Sequence, residues 1–219
     1  MRAEDIRGRL VTDASRLQSR FPDRLRLPRR FDPDRLASDL RAAERFGWTD
    51  HFVPQNYHGQ WSAIPLRAPA GATHPIMMIY SDPAATHFVD TPLLARTPYF
   101  REVLGSFGCT LLAARLMRLS PGSTIKEHRD NDLAFEFGVA RLHVPIVTNA
   151  DVGFWLNGFR VVMAPGELWY LRLSDPHRVS NEGASDRVHL VIDAVADEWL
   201  EALLGDALAQ RSTRRALRH

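Results

Sequence analysis

Cysteine is nearly absent from this chain: Cys109 is the single one among 219 residues. One thiol cannot form an internal disulfide, which excludes disulfide-stabilised secreted domains and fits a reducing compartment. Because Cys109 begins the apolar run 109–117, we expect a buried, inert thiol and not a nucleophile. The charged first residues lack the apolar core of a signal peptide, and no apolar run is long enough to span a membrane. We therefore expect a cytoplasmic protein with no membrane partner.

A strong charge imbalance and internal repeats are lacking too. The formal net charge is +2, with 28 Lys and Arg against 26 Asp and Glu. Arginines cluster at 24–30 and 211–218, but such clusters are usually solvated ends, so we expect no nucleic-acid partner. With 45% hydrophobic residues, the chain can bury one good core and is short of two ordinary domains.

Residues 1–50 are predicted to be helical decoration on that single domain. A loose helical spacing joins Ile6, Leu10, Leu17 and Phe21. A second helix is indicated after Phe31, where Asp32 can cap and Pro33 takes the first helical position, and its apolar stripe ends near Gly47. Residues 196–219 are predicted to form a C-terminal helix and a basic tail.

Residues 51–195 are predicted to be the core, which is mainly β. Strands are expected at 61–66 and 76–80, with a helix from Thr91-Pro92 toward Gly105. Asn157-Gly158 between apolar runs is the strongest hairpin signal. Further short strands are predicted at 110–119, 139–147, 152–156, 159–163, 168–173 and 187–193. Many short strands separated by turn signals indicate a sandwich or barrel with helices packed outside it.

The most informative motif is His128-Arg129-Asp130, followed far downstream by His177. Two imidazoles and one carboxylate can hold a mononuclear non-haem iron on one face and leave the opposite positions open. On an extended chain, residues two apart point the same way, so His128 and Asp130 can reach one ion. The alternative is that 128–132 is simply a polar loop, because His-x-Asp alone is a common pair.

Two segments alternate between cationic and aliphatic residues. In 141–146, Arg141 and His143 alternate with Leu, Val and Ile, and 187–193 repeats the pattern with Arg187 and His189. A solvated outer face would explain either strand alone. Two such strands flanking the candidate ligands favour a cavity lined by the cationic faces, where an arginine can bind a dicarboxylate.

Taken in order, these pieces resemble the aspartyl/asparaginyl β-hydroxylase family of Fe(II)/2-oxoglutarate-dependent oxygenases, over about residues 52–194. The matching motifs are Pro121-Gly122, His128-x-Asp130, Arg141-x-His143-x-Pro145, Pro165-Gly166-Glu167, Ser174-Asp175-Pro176-His177 and Arg187. The resemblance implies a double-stranded β-helix, or jelly roll, which agrees with the strand pattern. It also implies hydroxylation of an unactivated C–H bond with dioxygen as cosubstrate and release of succinate and carbon dioxide.

The resemblance implies roles for individual residues. His128, Asp130 and His177 would bind Fe(II), and Arg187, ten residues after His177, would pair with the distal carboxylate of 2-oxoglutarate. Arg141 and His143 would lie near the metal-bound end of that cosubstrate or near a substrate carboxylate.

Two departures from the family pattern are informative. The animal peptide-hydroxylating members lack the carboxylate ligand, so Asp130 places the chain nearer the bacterial amino-acid hydroxylases and argues against halogenation. Met117 stands where some members have a hydroxyl residue that helps to hold the cosubstrate.

Substrate contacts are less well defined. The candidates are Tyr57, Trp61, Arg67 and Trp155. Tyr57, Trp61 and Arg67 precede the main run of strands, where a lid or a substrate wall could form, but the cluster 55–58 could also be an ordinary loop. Trp155 could belong to the core instead, since buried aromatics dominate sheet packing. His189 is either a second partner of the site or a bystander, and His51, His74 and His87 have no partner at metal-ligand spacing.

Three functions follow from these residues. The first is a hydroxylase acting on an amino acid, free or within a peptide, with an Asp-, Asn- or Pro-like side chain. The second is a cupin-like, non-oxidative metalloenzyme, an isomerase or lyase. The third is a non-catalytic β-sandwich binding module whose polar strand faces are solvated. The sequence names neither the substrate nor the oligomeric state.

Overall fold

The computed structural model describes residues 19–80 and 84–216, with side chains up to 213. The helices of this part are α1 (Pro33–Ala43), α2 (Pro75–Ile79), α3 (Pro98–Gly105) and α4 (Glu198–Ala216). The first strands are β1 (Arg24–Arg30), β2 (Thr49–Asp50), β3 (Tyr57–His58), β4 (Trp61–Pro69), β5 (Phe88–Asp90), β6 (Leu111–Leu119) and β7 (Ser123–His128). The later strands are β8 (Val139–Val147), β9 (Val152–Leu156), β10 (Phe159–Arg160), β11 (Glu167–Leu171), β12 (His177–Asn181) and β13 (Arg187–Val195).

The strands form two antiparallel sheets. The larger sheet has the order β1-β11-β8-β13-β6-β4-β2, with β5 paired to β4, and the smaller sheet has the order β10-β9-β12-β7-β3. From β6 to β9 the chain changes sheet at every strand, and β11, β12 and β13 again fall in the larger, smaller and larger sheets. This alternation produces the predicted jelly roll, and it brings distant segments onto two facing walls.

Residues with positive φ form several of the turns between these strands. Asn157 and Gly158 both have positive φ, 53° and 76°, as the predicted two-residue hairpin between β9 and β10 requires. At Gly166, φ is 77° and a Cβ atom would lie 2.2 Å from the carbonyl oxygen of Phe31, so only glycine fits there.

Helices α1, α3 and α4 cover the outer face of the larger sheet, whereas Ile79 of α2 belongs to the cluster between the two sheets. The Asp32 side chain accepts hydrogen bonds from the amides of Asp34 and Arg35 and so caps α1, as predicted. The main core cluster joins the helices to aliphatic side chains of β8 and β13: Leu36, Leu40, Phe100, Leu142, Val144, Leu190, Ile192, Leu200 and Leu204. A second cluster, which includes Met117, Ile125, Phe154 and Val179, lies between the two sheets.

Several predicted elements differ from the structure. The segment predicted as strand 76–80 is the short helix α2, because His74 caps it and Pro75 takes its first position. The helix predicted from Thr91 begins only at Pro98, after a 3-10 turn at Leu94–Arg96. The basic run 24–30, predicted as part of a helical segment, is edge strand β1 and pairs with β11.

The predicted helix that includes Ile6, Leu10 and Leu17 lies outside the described residues. Within the described ranges, none of the helices combines the length and apolarity needed to cross a membrane.

Candidate active site

The two candidate histidine ligands are direct cross-strand partners. His128 ends β7 and pairs in register with His177 at the start of β12, and their ring centroids lie 4.2 Å apart. Asp130 follows two residues after His128, and its amide donates to the carbonyl of Leu173 at 2.9 Å. One nitrogen or oxygen atom from each of the three side chains lies within 4.8 Å of the others. The sheet register therefore brings together a set of donors that fits one metal ion.

Backbone carbonyls orient both imidazoles. Nδ1 of His128 lies 2.8 Å from the carbonyl oxygen of Lys126, and Nδ1 of His177 lies 3.0 Å from that of Asp175. A carbonyl oxygen can only accept, so each Nδ1 carries the proton and each Nε2 keeps a free lone pair. Burial, and next the neighbouring His128 ring, lower the pKa of His177 to about 4. His177 is therefore neutral at pH 7, as a metal ligand must be.

Asp130 is held by Arg141, a largely enclosed arginine whose side chain is 12% exposed. Nη1 of Arg141 donates to Oδ2 of Asp130 at 2.9 Å, while Oδ1 lies 3.8 Å from Nε2 of His128. The other guanidinium nitrogens of Arg141 donate to Asp193. Burial alone would lower the pKa of Arg141, but Asp193 and Asp130 together raise it, so Arg141 stays charged. Its contact with a cosubstrate or substrate stays a prediction, because both carboxylates already engage it.

A cavity of about 1210 Å³ joins these ligands to Arg187. Its apolar walls between the sheets include Met117, Ile125, Leu133, Phe154, Leu173 and Val179. Arg187 is 3% exposed, and burial lowers the pKa of its guanidinium to about 9. Nη2 of Arg187 donates to Nδ1 of His189 at 2.9 Å, whereas Nε is buried without a partner. An arginine with a free donor in an apolar pocket fits an anionic ligand.

His143 is the second polar group in this part of the cavity. Its Nδ1 lies 3.4 Å from Nδ1 of His189, and its Nε2 is buried without a hydrogen-bond partner. Burial, and next the charge of Arg187, hold the pKa values of both histidines well below 6.5. Both rings are therefore neutral, and His189 contacts Arg187 directly.

Strands β8 and β13 have the arrangement that their alternating residues predicted, with one face toward a cavity and the other toward the core. Arg141, His143 and Arg187 line the cavity, and the intervening aliphatic residues of β8 and β13 pack in the main core. Since His143 and Arg187 are buried and the Arg141 side chain is only 12% exposed, these are not the solvated strand faces on which the binding-module hypothesis depended.

Of the substrate candidates, Trp61 lines the cavity. It stacks on His51 with centroids 3.5 Å apart and an interplanar angle of 8°. Nε1 of Trp61 and Nδ1 of His51 are both buried without a partner. Tyr57 packs edge-on against Trp61, and its hydroxyl donates to the carbonyl of His51 at 3.2 Å. Tyr57 thus packs behind the aromatic wall formed by Trp61 and His51 and does not itself line the cavity.

The structure does not place Arg67 or Trp155 in this cavity. The Arg67 guanidinium donates to the carbonyls of Leu111 and Phe88 and pairs with Asp90. Trp155 lies under Arg178, whose guanidinium carbon is 3.8 Å from the ring centroid. Their positions lend no support to the predicted substrate contacts.

Three residues of the site were not found from the sequence. Arg115 and Asp193 form a buried ion pair at the cavity, and His51 stacks on Trp61. A signal for Arg115 existed, because it is the one charge within the run 111–117. His51 has no spacing signal, since its partner follows ten residues later through an irregular loop.

The comparisons agree with this geometry. The family model described as aspartyl/asparaginyl beta-hydroxylase matches residues 35–197. The L-proline cis-4-hydroxylase of Rhizobium meliloti strain 1021 is 29% identical over 188 residues, which cover 84% of this chain. The same alignment covers 65% of that protein, so the chain spans slightly less than two thirds of its relative's length.

Two solved structures share the fold. An oxidoreductase of the 2OG-Fe(II) oxygenase family from Burkholderia pseudomallei has a TM-score of 0.52 at 14% identity, over 81% of this chain and 87% of its own. A non-heme alpha ketoglutarate dependent epimerase from nogalamycin biosynthesis also scores 0.52 at 9% identity, over 80% of this chain and 79% of its own. At such identities the likeness concerns the fold alone. The match over residues 35–197 shows that the chain belongs to the aspartyl/asparaginyl β-hydroxylase family.

Proposed function

We propose that this protein is an Fe(II)/2-oxoglutarate-dependent dioxygenase that hydroxylates an unactivated C–H bond of an amino acid, free or peptide-borne. One observation carries the proposal: His128, Asp130 and His177 converge at a cavity that also contains the buried, partly unpartnered Arg187. The single buried cysteine fits a reducing compartment, so we place this activity in the cytoplasm.

The donor set fits Fe(II). Two imidazoles whose Nδ1 atoms are held by backbone carbonyls, together with one carboxylate, are the ligand types of a facial triad, which leaves coordination positions open. In this proposal His128, Asp130 and His177 hold the ion. Together with 2-oxoglutarate and dioxygen, bound Fe(II) supplies the oxidant for hydroxylation, with release of succinate and carbon dioxide.

The interior fits a dicarboxylate cosubstrate. Arg187 would pair with the distal carboxylate of 2-oxoglutarate through its free Nε–H, and the His143 ring would lie beside the same ligand. The apolar walls keep water from this charge pair, which strengthens it. His189 fixes the guanidinium plane of Arg187 by accepting a hydrogen bond from Nη2.

The cavity lining fits both charged groups of an amino acid. Arg115, Arg141 and Arg187 line the cavity together with the carboxylates of Asp130, Asp132 and Asp193. A guanidinium of this lining would pair with a substrate carboxylate, and the exposed Asp132 on the same cavity offers a partner for an amino group. An amino acid carries both groups.

The aromatic wall would contact the rest of the substrate. Trp61 presents a buried Nε1–H without a partner, and His51 a buried Nδ1. Burial, and next Arg115, lower the pKa of His51 to about 4, so His51 is neutral and can accept or donate one hydrogen bond. The proline cis-4-hydroxylase named above makes proline and its ring analogues the first substrates to test.

A substrate screen tests the proposal. Purified protein is incubated with Fe(II), ascorbate and 2-oxoglutarate against a panel of free amino acids and short peptides, and mass spectrometry is read for a product one oxygen heavier. The Asp130→Ala variant is the matched control and should give no product. An anaerobic arm separates hydroxylation from a cupin-like isomerase or lyase. Turnover without oxygen, or none with any candidate, would contradict the proposal.

A further inference from the structure

Asp193 lies between Arg115 and Arg141 at the end of the cavity where the candidate metal ligands lie. Its Oδ1 accepts from Nε of Arg141 at 2.6 Å, and its Oδ2 accepts from Nη2 of Arg141 at 3.0 Å and from Nη2 of Arg115 at 2.5 Å. Asp193 is 3% exposed and Arg115 is 5% exposed.

Asp193, Arg141 and Arg115 form one cluster because of the register of three neighbouring strands. Asp193 on β13 pairs directly with Arg141 on β8, and Arg115 on β6 pairs with Val191, two residues before Asp193. Residues two apart on a strand share a face, so all three side chains meet on the cavity side.

The guanidinium of Arg141 connects Asp193 to Asp130, the candidate carboxylate ligand. Asp193 accepts from Nε and Nη2 of Arg141, which fixes the plane of the group and leaves Nη1 directed at Oδ2 of Asp130, 2.9 Å away. Oδ1 of Asp130 is then the oxygen that faces Nε2 of His128, at 3.8 Å. The orientation of the ligand carboxylate therefore depends on a residue that is not a ligand.

On the opposite side of Asp193, Arg115 connects the cluster to helix α2. Nη1 of Arg115 donates to the carbonyl of Ile79, the last residue of α2, at 2.6 Å. A single carboxylate thus connects α2, three strands of the larger sheet and the metal ligand.

We propose that Asp193 is a positioning residue for the metal centre: by holding Arg141, it sets which oxygen of Asp130 is available to the ion. This inference rests on the proposed function only in requiring that the triad binds a divalent metal. Without the Asp193 charge, Arg141 would be free to turn both of its terminal nitrogens onto Asp130 and compete with the metal for both oxygens. The loss would also remove the carboxylate that accepts hydrogen bonds from both Arg115 and Arg141.

The test measures metal binding in the Asp193→Asn variant with Co(II), which gives visible bands that depend on coordination geometry. We expect Co(II) to bind roughly 10- to 100-fold more weakly, as for other partners of metal ligands, and we expect the band intensities to change. Glu167→Gln is the matched control, because it also removes one buried carboxylate that pairs with an arginine, Arg26, on the same sheet. It should retain the wild-type affinity and spectrum.

A second variant decides the matter if Asp193→Asn does not fold. Arg141→Lys keeps the positive charge beside Asp193, but an ammonium cannot span Asp193 and Asp130 as the fork does. It should also bind Co(II) more weakly with an altered spectrum. Either variant, folded and equal to wild type in affinity and spectrum, would overturn the role of Asp193. A wild-type protein that binds no Co(II) would instead contradict the metal centre and the proposed function with it.

Discussion

His128 and His177 stand opposite each other on β7 and β12, and each turns its Nδ1–H onto a carbonyl of its own strand segment. This arrangement preorganises the two Nε2 atoms for an ion.

The first prediction concerns His177. We predict that His177→Ala weakens Fe(II) binding by at least roughly 100-fold, since the loss of a ligand costs more binding free energy than the loss of a residue that only contacts a ligand. Equilibrium dialysis followed by metal analysis measures this. The control is His87→Ala, an exposed histidine outside the triad. Equal metal content in both variants would refute the site.

The second prediction concerns Arg187. In the Arg187→Met variant, KM for 2-oxoglutarate should rise roughly 30- to 100-fold, because a hydrogen bond to a charged group contributes about 2–3 kcal/mol. Metal affinity should be unchanged, since Arg187 has no contact with the triad among the described hydrogen bonds. Steady-state kinetics with varied cosubstrate measure this, with Arg26→Met as a surface control. An unchanged KM would show that the dicarboxylate binds elsewhere.

The third prediction separates the aromatic wall from the cosubstrate pocket. Trp61→Phe keeps a ring that can stack on His51 but removes the buried Nε1–H. One neutral hydrogen bond contributes about 1 kcal/mol, so KM for the amino-acid substrate should rise several-fold to about tenfold. KM for 2-oxoglutarate serves as the internal control and should not move. A change in both constants alike would indicate a general disturbance of the cavity.

The fourth prediction is that the metal-free protein loses stability as pH falls from 7 to 5. The pKa values of His51 and His177 are lowered to about 4, and those of His143 and His189 lie well below 6.5. Below pH 6.5 the unfolded chain therefore binds protons that the folded chain does not, so this stability is complete above 6.5 and declines as pH falls toward 4. Each such histidine contributes up to about 1.4 kcal/mol per pH unit. Urea unfolding at several pH values measures the slope, and His189→Gln should make it shallower. A flat profile would contradict neutral burial of these rings.

Much of the β core follows from local signals. The strands at 139–147 and 152–156 and the Asn157-Gly158 hairpin were predicted at their observed positions, because alternation and turn chemistry act within a few residues. His128 and Asp130 became candidate metal ligands through a signal of the same kind, since His-x-Asp is a local motif. His177 was expected to arrive from another strand, although its own segment showed no strand pattern.

What the sequence did not disclose depends on contacts between distant segments. Strand β12 carries His177, yet it was not predicted as a strand, since Arg178 and Asn181 make it too polar. Arg115 was hidden within an apolar run, and Asp193 was predicted only as the last residue of the strand 187–193. Their pairing with Arg141 exists only because β6, β13 and β8 are neighbours in the sheet, and no local pattern specifies that order.

The fate of molecular oxygen tests the central claim most directly. The wild-type protein, with Fe(II), 2-oxoglutarate and the amino acid selected by the screen, is incubated under ¹⁸O₂, and both products are analysed by mass spectrometry. We expect one labelled oxygen atom in succinate and one in the hydroxylated amino acid, with neither product formed by His177→Ala. A hydroxyl group that carries oxygen from water, or a product that forms without oxygen, would contradict this claim.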